Sequence, residues 1–527
     1  MKSWLSKIAS PKTIALASLL LGSASLEAKT IYVNELVAGG NKNGTSWANA
    51  YQFLRDAVEA AAAGDSIYVA KGTYYPDDGA TGVFGDREMA FEFTKAGVAV
   101  YGGFAGTETS LSQRNITANP TILSGRIWGV LPVALKDYSS LHVNLVSAST
   151  IFDGVTVTGG NANGSLTWTY PRDEFYDQGG AFYVTGGSTL TLRNCTITDN
   201  SSMEFGGAVM LEGGNGLVSA SNTTFSANTV TSFHLSTFNV AGGAVYGNVN
   251  ATNCKFEGNI VTGNPVDSDT APTTAIARGG AIFGDVTALS CTFSGNRAVS
   301  SGTENTSSFA SGGAIDGDTI TLTKCVFTTN GSANVVSYGG AVVGSAINAV
   351  NCAFSANTTT GGFTQNDAIG VGGGGAIYSG NGNSNLTNCV FSANTSGYRG
   401  GAVTMHAPGD NSSSMVIANC TFHENQAPPT TGLTTAGGAA VAVQGIVRIV
   451  NNVFWNTTVT TNFNNLINVM KRGVLRNSTG NYPTTSAFAQ NLVRNGTASI
   501  TEQPEGDRYL GADADNIVTG LPEFNTP

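Results

Sequence analysis

Hydrophobic positions in this chain alternate over short distances and rarely keep a helical period. The runs are brief, β-branched or aromatic, and punctuated by glycine, a pattern that predicts short strands. One segment differs. Ala50, Phe53, Leu54, Ala57, Val58 and Ala61 follow the i, i+3, i+4, i+7 spacing of one helical face. Thr45 or Ser46 is placed to cap that helix, Gly64 to stop it, and Ser66 to Ala70 (SIYVA) predicts the strand after it.

Beyond this segment two motifs alternate. Gly-Gly-Ala ends at Ala181, Ala208, Ala244, Ala281, Ala314, Ala341, Ala376, Ala402 and Ala439. Each triplet but the last is followed by a large aliphatic or aromatic residue, as in GGAFYV and GGAIFG. The second motif is Cys-x-Phe-x-x-Asn. It occurs as Cys254/Phe256/Asn259, Cys291/Phe293/Asn296, Cys325/Phe327/Asn330, Cys352/Phe354/Asn357, Cys389/Phe391/Asn394 and Cys420/Phe422/Asn425. Cys195/Ile197/Asn200 and Thr223/Phe225/Asn228 each change one residue, and Asn452/Phe454 closes the series.

Residues i and i+2 of a strand share a face, so Cys and Phe of each copy point the same way. Stacking the copies in register builds one Cys column and one Phe column. Asn sits at the following corner, where it tolerates left-handed backbone and where stacked carboxamides can bond as a ladder. Gly-Gly frees the opposite corner, and Ala keeps neighbouring coils close. The fold class is therefore all-β: a right-handed parallel β-helix with a short N-terminal capping helix. A solenoid needs such a cap because its first unit has no neighbour below.

Composition narrows the function. Of 527 residues, 68 are glycine and only 11% are charged, against about 25% in ordinary domains. The net charge of -10 excludes nucleic acid as an expected partner. Lys2, Lys7 and Lys12 precede an apolar run from Ile14 to Leu21, with Ala24 and Ala28 as cleavage points, so residues 1–28 read as a signal peptide. That run is too short to span a bilayer, and no second stretch of spanning length follows. The expected product is exported, either extracellular or on the outer membrane surface, with no transmembrane segment after cleavage. Residues 29–76 form the cap, 77–476 the β-helix with its repeats at about 150–456, and 477–527 a tail.

Catalytic constellations are thin. Asp316 and Asp318 (GGAIDGD) share a strand face, with Asp285 near the equivalent place one coil earlier. A paired-carboxylate enzyme would draw on these three. The loop from Asn161 to Gln178 gathers Trp168, Tyr170, Arg172, Asp173, Glu174, Phe175, Tyr176 and Asp177, aromatics with charges that suit a sugar or peptide ligand. Solvated carboxylates and a loop packed by its own side chains are the plainer accounts of both groups. The seven cysteines occupy one repeat position and are odd in number, which fits a column of small buried residues better than disulfides or a metal site. His142, His234, His406 and His423 are scattered, no phosphate loop or GxSxG occurs, and no metal or cofactor is expected. Loop length varies at one corner, between each motif Asn and the next Gly-Gly. The longest insertions are Ile260 to Arg278, Arg297 to Ser311 and Thr358 to Gly373. Insertions on one face of a repeat protein often make its binding face.

The stretch from Ile31 to Tyr75 resembles the opening of many exported bacterial right-handed β-helix proteins. The GGA[ILV] and FxxN tetrapeptides at about 150–456 resemble those of the chlamydial polymorphic outer membrane proteins, surface-exposed autotransporter adhesins. The resemblance implies a pectin-lyase-like β-helix passenger that binds host or neighbouring cells. Those proteins end in a membrane β-barrel, and the residues after Ala439 are too few for one; the closing GLPEFNTP suits a fragment. The function expected is an adhesin-like, non-catalytic protein that binds a cell-surface protein or glycan through corner loops. The alternative is a polysaccharide lyase or glycoside hydrolase on the same fold. A coat or filament subunit is the third reading, and the N-terminal cap opposes it.

Overall fold

In the computed structural model of the chain, the motif strands Thr224–Ser226, Lys255–Glu257, Thr292–Ser294, Val326–Thr328, Ala353–Ser355, Val390–Ser392 and Thr421–His423 lie side by side as parallel neighbours. Their register sets Phe225, Phe256, Phe293, Phe327, Phe354, Phe391, Phe422 and Phe454 in one column. Strands so short and so far apart in sequence can pair this way only if the chain winds, one coil per repeat. The crossovers take the right hand that strand twist favours, and the molecule is a right-handed parallel β-helix.

The described residues are 28–79, 86–127, 140–164, 174–232, 238–264, 274–301, 308–334, 336–361, 372–406, 413–427, 438–444 and 446–455, with four short strands beyond, the last Ile500–Glu502. Among them the coils build a 25-stranded sheet, a 13-stranded sheet bearing the Phe column, an 8-stranded sheet and a 4-stranded sheet. Each coil passes through the long sheet twice, as in Phe182–Val184 and Thr189–Arg193. It then crosses the Phe sheet at Thr196–Thr198 and the 8-stranded sheet at Ser201–Ser202. Ala487–Ala489, Leu492–Val493 and Ile500–Glu502 still pair in parallel with the coil before, so winding continues past residue 476, where the repeat reading ends it. Residues 1–27, which carry most of the expected signal peptide, lie outside the described residues.

Stacking is tight. Consecutive rings from Phe225 to Phe454 lie 4.6–5.0 Å apart with interplanar angles of 1–8°. Beside them, all seven cysteines are free and buried. The backbone N–H of Cys254, Cys325 and Cys389 points at Sγ of the next cysteine, 3.4 Å away. Thr223 and Asn452 hold the same column position and accept from Cys195 and Cys420 in the same way. Burial pushes the Cys195 thiol up to about 11.

Three expectations need correction. The motif asparagines do not take the left-handed backbone. That role falls to the residue before each, such as Asp199, Ala227, Gly258, Thr329 and Glu424, and to the residue before each Cys, such as Asn194, Asn253, Lys324 and Asn388. The Asn side chain is needed inside the corner, so the strained position passes to a neighbour whose side chain can leave it. Secondly, the helix is split. Ser46 caps a 3-10 turn, Trp47–Asn49, and the α-helix is only Leu54–Ala60, with Leu54, Ala57 and Val58 buried against the first strands. Between them Tyr51 bridges to Val33, and that sheet contact outweighs three residues of helix. Thirdly, the last repeat slips by one residue. The N–H groups of Ala402 and Val403 bond to the carbonyl of Ala440, which fills the fully buried position expected for Ala439.

The two glycines of each triplet serve different ends. The first has a left-handed φ, +59° at both Gly279 and Gly312. The second has no room: a Cβ on Gly313 would lie 2.1 Å from the carbonyl oxygen of Gly340.

Candidate binding face at the corner

The insertions between Asn and Gly-Gly are not plain loops. They leave the corner on strands of the 8-stranded sheet, Thr229–Ser232, Ile260–Gly263 and Arg297–Ser300. They return on strands of the 4-stranded sheet, Phe238–Ala241, Ala275–Arg278 and Phe309–Ser311. Successive copies pair in register, Ile260 with Arg297 and Arg278 with Ser311. The two sheets face each other and close a small apolar core of their own: Val230, Val240, Val261, Ala277, Ala298 and Ala310, each fully buried. Only Val and Ala fill it, so the sheets lie close. Ser300 Oγ ties them across by donating to the Ala275 carbonyl at 2.9 Å, and the Ala275 N–H donates to Ser308 Oγ at 2.9 Å. The result is a wing standing out from the rod. Residues 265–273, 302–307 and 362–371, which join the outgoing and returning strands, lie outside the described residues.

Where the wing meets the long sheet, a row of rings fills the angle. Phe205 packs on Tyr246 at 4.6 Å, Tyr246 stacks on Phe283 at 5.1 Å, and Tyr338 meets Tyr378 at 4.8 Å. The Arg278 guanidinium covers Phe283 at 4.4 Å. The rings pack on one another within the row, which acts as a buttress between wing and sheet. Burial raises the Tyr246 and Tyr378 phenols, so both stay neutral donors. The sequence motif placed only a large residue after each Ala but the last; the signal for the buttress was the aromatic one position later, in GGAVY, GGAIF and GGAIY.

The carboxylate set separates. Asp316 and Asp318 both belong to the strand Ile315–Thr323, yet Asp316 is 1% exposed while Asp318 faces solvent. The two differ in exposure because Asp316 is drawn into the angle beneath the wing. Arg278 holds it through two bonds, Nε to Oδ2 at 3.0 Å and Nη2 to Oδ1 at 2.9 Å, and Ser311 Oγ donates to Oδ2 as well. Exposed Asp318 accepts from Ser345 Oγ at 3.4 Å, and exposed Asp285 from the Thr319 N–H at 2.8 Å. The arrangement brings a cation to one aspartate and hydrogen-bond donors to the other two. Arg278 had no local signal, its partner being 38 residues on.

Of the aromatic loop, Trp168, Tyr170, Arg172 and Asp173 lie outside the described residues. Glu174 belongs by its backbone to a 3-10 turn, Glu174–Asp177. Tyr176 is half-buried, and its carbonyl accepts from the Gly164 N–H at 3.0 Å. Asp177 is buried, and its carbonyl accepts from the N–H groups of Met203 and Glu204, each at 3.0 Å. The end of the loop is thus bound into the next coil. Among the described residues no group of three or more His, Cys, Asp or Glu is placed to hold a metal ion, and no helix is long and apolar enough to cross a membrane.

No family model matches the chain, and no curated protein sequence does. Among solved structures the chain is similar to a rhamnogalacturonan lyase, at 12% identity and a TM-score of 0.32, over 93% of this chain and 90% of that one.

Proposed function

We propose that the chain is an exported surface or secreted protein, adhesin-like and non-catalytic, that binds a cell-surface protein or glycan at the corner wing. The observation that carries this reading is the wing itself. Long insertions recur at one corner of adjacent coils, and strands stacked in register deliver them side by side. The strand motifs between them vary little. The likeness of the GGA and FxxN motifs to the chlamydial polymorphic outer membrane proteins points the same way, as does the export signal expected over residues 1–28.

A polysaccharide lyase or hydrolase is the competing reading. It loses ground because Asp316, the most enclosed of the three carboxylates, is occupied by Arg278 and Ser311.

The test is a glycan and cell-surface protein array probed with the mature chain and with variants in which residues 265–273, 302–307 and 362–371 are replaced by short Gly-Ser links. The strands of the wing stay in place. Closing shorter loops changes stability by only about 0.6 kcal/mol per halving. Array binding should fall sharply while circular dichroism and melting hold. Binding that survives all three excisions defeats the reading, and turnover of a polysaccharide by the purified chain puts the enzyme in its place.

A further inference from the structure

We infer that Asp316 is a positioning residue that couples two adjacent members of the three longest insertions, so that they are presented as one unit; the inference rests on the wing being the binding face. Arg278 is the last residue of the insertion beginning at Ile260, and Ser311 the last of the one beginning at Arg297. Both side chains end on the same carboxylate, Arg278 through its two bonds and Ser311 through its hydroxyl. The two residues are themselves paired across adjacent strands. Asp316 comes from the long sheet of the rod and pairs there with Phe283, whose ring lies under the Arg278 guanidinium. One buried carboxylate therefore ties two returning wing strands to the body.

The need for such a tie follows from the backbone. Each insertion starts from a rigid point, because Asn259 and Asn296 belong to the buried Asn ladder. Each ends in Gly-Gly, where Gly279 and Gly312 both take a φ of +59° and have no side chain to brace the turn, their N–H groups bonding to the next coil at Ser311 and Tyr338. Those bonds and the pairing of the returning strands hold one coil against the next but set no angle between the returning strands and the long sheet. Elsewhere along this angle the described contacts include ring pairs, Phe205 on Tyr246 and Tyr338 on Tyr378, and a single uncharged bond, Thr404 Oγ1 to the Arg399 carbonyl at 3.0 Å. The charged tie stands under the two longest neighbouring insertions. Its desolvated, two-pronged geometry fixes direction as well as distance, which ring packing does not.

The test is hydrogen exchange on the full mature chain, read by mass spectrometry, for wild type, Asp316→Asn, Arg278→Met, Ser311→Ala and the Arg278→Met/Ser311→Ala double variant. Asp316→Asn should speed exchange about tenfold or more in both Ala275–Arg278 and Phe309–Ser311 while Thr292–Ser294 in the Phe sheet is unchanged. Ser311→Ala should loosen mainly Phe309–Ser311, and the double variant should match Asp316→Asn. Loosening of only one strand in Asp316→Asn, or loosening of the Phe sheet with it, overturns the inference, the second by making Asp316 a general stabilising residue. The same variants go on the glycan and cell-surface protein array. If wild type binds, Asp316→Asn should weaken binding at least as much as either single change at Arg278 or Ser311. If wild type does not bind while exchange responds as expected, the tie stands and the binding reading falls. Wild-type binding with unaltered exchange removes the tie and leaves the binding face.

Discussion

The carboxamide of Asn296 donates from Nδ2 to Oδ1 of Asn330 at 2.9 Å, and the Asn296 backbone N–H reaches the same oxygen at 3.0 Å. Nδ2 of Asn296 also bonds the Phe256 carbonyl of the coil before, at 2.8 Å. The pattern runs from Asn200 through Asn228, Asn259, Asn296, Asn330, Asn357 and Asn394 to Asn425. In its interior each amide donates twice and accepts twice. Asn330→Leu leaves Phe293 O and both donors of Asn296 without their partner, and each buried orphan costs about 1–3 kcal/mol. A loss of about 3 kcal/mol or more in urea unfolding is expected; a loss below about 1 kcal/mol would show that the ladder is ornamental.

Phe327 is stacked on both faces, by Phe293 at 4.6 Å and Phe354 at 4.8 Å. Phe327→Ala should cost about 3–5 kcal/mol, the range for an aromatic removed from a packed interior. An unchanged melting curve would contradict the column.

The second glycine of a triplet should be less replaceable than its φ suggests. Gly313→Ala places a methyl 2.1 Å from the Gly340 carbonyl oxygen, so the coils must part or the chain must shift. Destabilisation of about 2 kcal/mol or more is expected, as for overpacking in a close-packed interior. Gly64→Ala is the control, because a Cβ there meets nothing within 4 Å and only its φ of +83° is strained. Equal melting temperatures for the two variants would refute the steric account.

Thiol chemistry gives a further check. Native protein should react with almost none of its seven cysteines, and unfolded protein with close to all of them. A Cys325–Cys352 disulfide found by mass mapping would contradict this. Burial pushes the Cys195 thiol up to about 11 in the fold, against about 8.5 in an open chain. Its folded pKa is raised, so its contribution to stability is whole below pH about 8.5 and declines as pH rises toward about 11. The melting temperature of Cys195→Ala should accordingly be less sensitive to pH across that window than that of wild type.

Much of the rod could be read from the sequence because its contacts follow fixed rules of spacing. Cys and Phe two apart must share a face, and identical side chains at one coil position must meet. What escaped has no such rule. The wing core is made of Val and Ala inside segments rich in Thr, Ser and Gly, and nothing marks Val240 or Ala277 as facing Val261. Arg278 and Asp316 meet because the GGA triplets align adjacent coils, Arg278 opposite Ser311 and Phe283 opposite Asp316, and no rule of spacing calls for a charged pair at those places. The slip from Ala439 to Ala440 was hidden by two alanines in a row, either of which satisfies the motif.

The Asn ladder has a genetic consequence. Every interior rung offers the coil above what it takes from the coil below, so a segment running from just after Asn296 through Asn330 is exchangeable with any other segment cut at two ladder asparagines. Duplicating or deleting such a segment in frame returns the same bonds at both junctions and alters only the length of the rod and the insertion the segment carries. Recombination between repeats can thus vary the number and order of presented loops while the scaffold beneath them stays closed.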